Sequence, residues 1–196
     1  MNIFKVICIL LLLSNNAFSS LISPVNGSNL NYTHVLFEWE QELNANSYTL
    51  YLDTNPEFSS PVVINDNSLI YIDTDNISWD SNYYWKARPE YNINSGDWSD
   101  THSFSTGSTQ STAYSINTDD NAYQSGVTLF SSFFNYFSAM IDQNGTEIWN
   151  TGNNDIVYYN TDFYGQIFGC YVNNDIENYL PGIELDINSN YVWEEP

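Results

Sequence analysis

The sequence predicts an all-β chain in two parts, a β-sandwich followed by the first blades of an incomplete β-propeller. Over residues 20–106, turn signals fall about every eight to twelve residues between short runs rich in Tyr, Val, Ile and Phe, the rhythm of a sandwich. Farther on, Ile141-Asp142-Gln143-Asn144-Gly145-Thr146-Glu147-Ile148-Trp149-Asn150 returns as Leu185-Asp186-Ile187-Asn188-Ser189-Asn190-Tyr191-Val192-Trp193-Glu194. The offset is 44 residues, with Asp, Asn and Trp falling on Asp, Asn and Trp. A strand-based period of about 40–45 residues is that of a propeller blade. Asn144-Gly145 takes up positive φ at low cost, which predicts a tight hairpin there.

The chain opens with Lys5 ahead of an unbroken apolar run over residues 6–13 and an Ala17-Phe18-Ser19 exit. That is the pattern of a signal peptide over 1–19, with cleavage expected after Ser19. The run is far short of the ~20 apolar residues that span a bilayer, so no integral membrane segment is expected once the leader is removed. Cys8 lies inside the run with no lipobox at its exit, which argues against a lipoprotein. The expected location is outside the cytoplasm, periplasmic or extracellular. After cleavage Cys170 is the sole cysteine, so no intrachain disulfide can form. Core packing must then hold the fold, and 16 Tyr, 11 Phe and 6 Trp supply large areas to bury. Cys170 reads as a small buried hydrophobe in a strand rather than a reactive thiol.

Twenty-four Asp and Glu face three Lys and Arg, a net charge of −21, and one of those cations is Lys5 in the leader. The exported part carries only Lys86 and Arg88. A phosphate backbone would be repelled, which excludes nucleic acid as a partner. An anionic membrane surface is excluded on the same ground. Such acidity suits salty surroundings, where screening weakens self-repulsion.

In the first part, strands are expected at 21–25, 35–40, 47–53, 61–65, 69–73, 82–88 and 102–106. Val35, Phe37 and Trp39 alternate with Leu36, Glu38 and Glu40, placing Trp39 on a buried face. Ile77-x-Trp79-x-Ser81-x-Tyr83 followed by Tyr84-Trp85-Lys86-Ala87-Arg88 resembles the E–F corner and F strand of a fibronectin type III domain. Gly96-Asp97-Trp98-Ser99 resembles the turn before that family's last strand, and Pro24-Val25-Asn26-Gly27 with Trp39 resembles its opening. The resemblance implies that the Tyr83 hydroxyl bonds back to the chain at the corner. It also implies a spacer or platform role for residues 20–106. A sugar-stacking surface at Trp79 and Trp98 is the sharper alternative, but both sit where the family uses packing residues.

Residues 107–112, Gly-Ser-Thr-Gln-Ser-Thr, carry no apolar side chain and read as a short flexible linker. Beyond it, 113–196 is expected to form incomplete propeller blades. Gly126 to Phe130 and Gly165 to Phe168, alternating with the two hairpins at 141–149 and 185–193, resemble the opening of an arylsulfotransferase-type β-propeller. The second hairpin departs in having Ser189 where Gly is usual. The resemblance implies sulfuryl transfer between phenols, with a histidine as group acceptor helped by further His and Arg. After His102 this chain has no His, Lys or Arg, so no catalytic residue is assigned here. A phenolic sulfate is accordingly expected as substrate only in a longer protein, of which this chain would be the N-terminal part.

No cofactor or metal ligand is assigned either. His34 and His102 stand far apart without partners at metal spacing and read as strand-end residues. Asp186-x-Asn188-x-Asn190 imitates half a calcium loop, but a hairpin turn explains it better. Asp73-x-Asp75-Asn76 and Asp119-Asp120 are expected to hold Ca²⁺ only loosely. Sequons at Asn26, Asn31, Asn76 and Asn144 are what chance yields in so Asn-rich a chain. Two functional readings remain: a fragment of an exported arylsulfotransferase-like enzyme, or an extracellular binding and adhesion protein with a non-catalytic propeller. In either case, a missing next blade would leave Ile148, Trp149, Val192 and Trp193 unusually exposed.

Overall fold

The computed structural model describes residues 20–113, 126–172 and 180–196, which place the predicted leader and Asp119-Asp120 outside the described residues. The described residues are built from strands, and no helix among them is long and apolar enough to cross a membrane. The first part contains β1 (Leu21–Ser23), β2 (Ser28–Leu30), β3 (Val35–Trp39), β4 (Ser47–Asp53), β5 (Val62–Asp66), β6 (Ile70–Asp73), β7 (Asn82–Glu90) and β8 (His102–Thr106). They form two sheets, in the orders β1-β3-β6 and β2-β8-β7-β4-β5.

The opening strand expected at 21–25 is a correction. It stops at Ser23, because Pro24 has no N–H to offer a ladder. Ser28 then donates to the Val25 carbonyl at 3.0 Å, and Gly27 turns the chain at φ 79. Past that turn the chain enters the other sheet as β2, parallel to β8, with Ser28 opposite Phe104. The expected strand is thus shorter and is followed by a strand that was not expected, so the sandwich has eight segments rather than seven.

Between the sheets, strand alternation delivers the core. Val35, Phe37 and Trp39 of β3 are buried, as the pattern predicts. Leu50 and Leu52 of β4, Tyr83, Trp85 and Ala87 of β7, and Phe104 of β8 close over them. Phe37 meets Trp85 edge-on at 5.0 Å, and Tyr83 stacks on Phe104 at 5.3 Å. The Tyr83 hydroxyl accepts from the Ser78 amide at 2.8 Å, with Ile77 buried beside it. That is the tyrosine corner expected from the resemblance.

The second part holds β9 (Thr128–Ser132), β10 (Phe137–Ile141) and β11 (Glu147–Asn150), an open antiparallel meander. A second meander follows: β12 (Ile156–Thr161), β13 (Ile167–Tyr171), β14 (Gly182–Leu185) and β15 (Tyr191–Glu194), in that order. Trp149, Ile156, Ile167, Ile183 and Leu185 form its core, with Leu129, Met140 and Tyr158 against them. Ser138 is fully buried, and its hydroxyl serves both meanders by donating to the Ile156 carbonyl at 2.9 Å and accepting the Tyr158 amide at 2.7 Å. A buried hydroxyl satisfied in this way costs little and fixes how the layers meet.

Three hairpins share one turn. Asp142, Asp162 and Asp186 each accept two backbone amides on Oδ1, from Asn144 and Thr146, Tyr164 and Gln166, and Asn188 and Asn190, all at 2.8–2.9 Å. The fourth turn residue has positive φ in every case: Gly145 at 85, Gly165 at 81 and Ser189 at 62. Asn144 does not share it, so the tight hairpin expected there closes through a three-residue loop in which Gly145 alone takes the left-handed position. Asp186 is therefore occupied by its own turn.

Candidate functional site

The two parts meet in a joint that begins with backbone. Thr33 donates to the Ile148 carbonyl at 3.0 Å, and Asn150 donates to the Asn31 carbonyl at 2.9 Å. Tyr32 and Trp149 face each other between those bonds as an antiparallel bridge. The sandwich thus lends the segment 31–33 to the free edge of β11, making a fourth rung on a three-stranded sheet. An edge covered in this way no longer templates foreign strands.

Side chains close the joint. Tyr32 packs against both cores, and its hydroxyl donates to Asn188 Oδ1 at 2.9 Å. Burial, and then the Asp186 carboxylate, push this phenol above its ordinary pKa, so it stays a donor. The Trp149 indole donates to the Ile187 carbonyl at 2.6 Å, pinning the third hairpin to the joint. Gly152, at φ 61, lies so close to Asn31 that a Cβ would come within 2.6 Å of its amide. A side chain there would be strained by the φ and would have to push the Asn31 amide aside.

Glu147 is the polar centre, only 4% exposed. Its carboxylate accepts the Gln110 amide at 2.9 Å, the Ser111 amide at 2.6 Å, the Ser111 hydroxyl, and Asn150 Nδ2 at 2.6 Å. Its backbone carbonyl takes the Trp79 indole N–H at 2.7 Å. The stretch 107–112 is held at its start as well, with Gly107 donating to the Leu30 carbonyl and accepting the Asp80 amide. Ser108 donates from its hydroxyl to Asp80, and its carbonyl accepts Asn150 Nδ2.

The exposure expected at a cut edge is half corrected. Ile148 and Trp149 are buried, Trp149 at 1%, because Tyr32, Ile187 and the lent segment cover them. Val192 and Trp193, at 61% and 52%, stand on the outermost strand β15, and no comparable cover lies beside them among the described residues.

Trp79 and Trp98 do different work from the sugar-stacking pair considered above. Trp79 serves the joint. Trp98 stands on the outer face of β7, with Lys86 Nζ 4.8 Å and Arg88 Cζ 4.7 Å from its ring centroid. Lys86 also lies 4.2 Å from the Phe58 centroid, and Arg88 pairs with Glu90 at 2.9 Å. Desolvation pushes the Glu90 carboxyl up, but hydrogen bonds from Ser95, Thr49 and Arg88 outweigh it and hold the pKa below the usual value. Both cations of the described residues are thereby committed to aromatic rings in one strip.

The remaining predicted positions are placed simply. His102 opens β8 edge-on to Trp85, and His34 immediately precedes β3. Asp73 is buried, and its carboxylate accepts the Asp75 and Asn76 amides and Asn76 Nδ2. Cys170 is buried in β13, and burial pushes its thiol up, away from the thiolate that reacts. Among the described residues no three His, Cys, Asp or Glu converge as metal ligands.

Sequence reading missed an open cleft of about 380 Å³ beside the joint. The tip of the β9–β10 hairpin, the β11–β12 connection and Gln110 line it.

No family model matches the sequence, and no curated protein matches it. Among solved structures the chain is similar to a fibronectin type III domain derived from human KIAA0970 protein. Identity is 15% and the TM-score 0.38, over 48% of this chain and 77% of that one. It is also similar to the FN1-FN3 domains of chicken CNTN1, at 14% identity and a TM-score of 0.42, over 89% of this chain and 54% of that one. The first part is a fibronectin type III-like sandwich on its own strand order and its Tyr83 corner.

Proposed function

We propose that this chain is an extracellular binding module in which the sandwich acts as a rigid platform for the second part. The joint carries the reading. A tethered pair of domains needs only a linker, whereas here the sandwich contributes strand segment 31–33, Tyr32 and Trp79 to its neighbour. Two units fused in this way present surfaces in fixed relation, which is what a spacer or adhesion module requires. Export places such a module where its acidic surface meets salt and divalent ions.

The finer family reading is that 113–196 opens an arylsulfotransferase-type propeller. Three hairpins of one design and a four-stranded meander support it. On this reading sulfuryl transfer belongs to a longer protein, since the step needs a nucleophile and cations around the developing charge. In this chain Lys86 and Arg88 are committed to the aromatic strip.

The test has two arms. The purified chain should show saturable retention on some member of a panel of immobilised extracellular proteins and polysaccharides, above an equally acidic control. It should not turn over p-nitrophenyl sulfate with a phenol acceptor above a buffer blank. Turnover without retention would overturn the binding-module reading.

A further inference from the structure

We infer that the open cleft beside the joint is a binding site for a neutral saccharide; this rests on the binding-module reading and names its ligand class. Asn135 and Tyr136 come from the β9–β10 hairpin tip, Asn153, Asn154 and Asp155 from the β11–β12 connection, and Gln110 from the joint. Its volume of about 380 Å³ holds a one- or two-ring sugar and falls in the range of small-molecule sites.

The lining selects the ligand. At the three hairpins of the second part the carboxylates are spent on turns, as at Asp142, Asp162 and Asp186. Around the cleft, Asn135, Asn153, Asn154 and Asp155 make no side-chain hydrogen bond to another described residue. Each primary amide offers two donors and an acceptor, matching hydroxyl groups that both give and take. Gln110 is anchored by donating from Nε2 to the Gly152 carbonyl, which leaves its own carbonyl oxygen for a ligand.

Charge removes the competitors. The lining holds one carboxylate and no cation, so a phosphate, sulfate or uronate would be repelled. A single carboxylate is also too few for a calcium site. A neutral polyol meets no such objection. Tyr136 supplies the ring on which the C–H face of a sugar stacks, and it is 39% exposed. Its backbone is held at φ 50, a conformation that costs a non-glycine residue energy and recurs at binding sites.

The experiment is titration of the ¹⁵N-labelled full chain with glucose, galactose, mannose, N-acetylglucosamine, lactose and cellobiose. At least one sugar should give saturable shifts confined to amides of 135–137 and 152–155, with a dissociation constant of about 1–10 mM, as suits a small open site. Tyr136→Gly suits the positive φ, so it should fold at least as well yet bind about tenfold more weakly. Asn154→Ala should weaken binding similarly, and Trp98→Ala, in the aromatic strip of the sandwich and outside the cleft lining, should not. Absence of saturable shifts with every sugar, shifts mapping away from the cleft, or unchanged affinity in Tyr136→Gly would each overturn the assignment. Failure of the sugars with retention on the immobilised panel would overturn the saccharide and leave the binding module standing. Failure of both would overturn both.

Discussion

Trp149→Ala is expected to destabilise the second part by about 3–5 kcal/mol, the range for emptying a large buried aromatic site. The side chain is fully buried among Ile156, Ile167, Ile183 and Leu185. Its loss opens a cavity in that core and also strips the Ile187 carbonyl of its indole donor. The third hairpin, held at the joint by that bond and by Tyr32, should loosen with it. Denaturant unfolding followed by near-ultraviolet circular dichroism reads the cost. Trp149→Phe keeps most of the apolar volume and should lose about 1–2 kcal/mol. A loss below about 1 kcal/mol in the alanine variant would mean that Trp149 is not the anchor described.

Glu147→Ala is expected to open the joint from its polar side, at a cost of about 2–4 kcal/mol, since bonds to a charged acceptor are worth more than neutral ones and do not simply add. It leaves the Gln110 and Ser111 amides without their acceptor and Asn150 Nδ2 with only the Ser108 carbonyl. The clearest sign should be protease sensitivity at 107–112. Six small polar residues would ordinarily be an open cutting site, and here the backbone is held at both ends. Cleavage in that stretch should therefore be slow in the parent chain and fast in Glu147→Ala. Glu147→Gln keeps the shape and should fall between. Equal cutting rates in parent and alanine variant would show that the carboxylate does not hold the joint.

Much of the sandwich was legible because its signals are local. Alternation at Val35, Phe37 and Trp39 placed the core face, and the spacing from Ile77 to Tyr83 placed the corner. The switch of the opening strand into the second sheet was not, since β2 is three residues long and its partner β8 is distant in sequence. The second part was half legible. The Asp142 and Asp186 hairpins stood out through their shared Trp, whereas the Asp162 hairpin has the same turn and lacks that marker. Its preceding strand β12 begins with two buried residues and ends exposed, so it shows neither clean alternation nor a continuous apolar run.

The fate of Trp149 shows the limit most clearly. Its repeat position equals that of Trp193, and local pattern gives both the same exposed edge. Only the fold sets Tyr32 and segment 31–33 of the sandwich over one of them. The cleft was illegible for a related reason. Asn153, Asn154 and Asp155 look like many other polar loops in this chain, and Tyr136 sits in an apolar run that reads as strand. Folding alone puts them around one space.

The central claim is that the sandwich completes the β11 edge and so fuses the two parts. Hydrogen exchange at the Thr33 and Asn150 amides tests it most directly, because these two donors cross the joint. Both amides should be protected to the same degree as core amides such as those of Phe37 and Ile183, and protection should fall at both together in Glu147→Ala. Exchange at the rate of open loops, while the two cores stay protected, would mean that the parts are merely tethered.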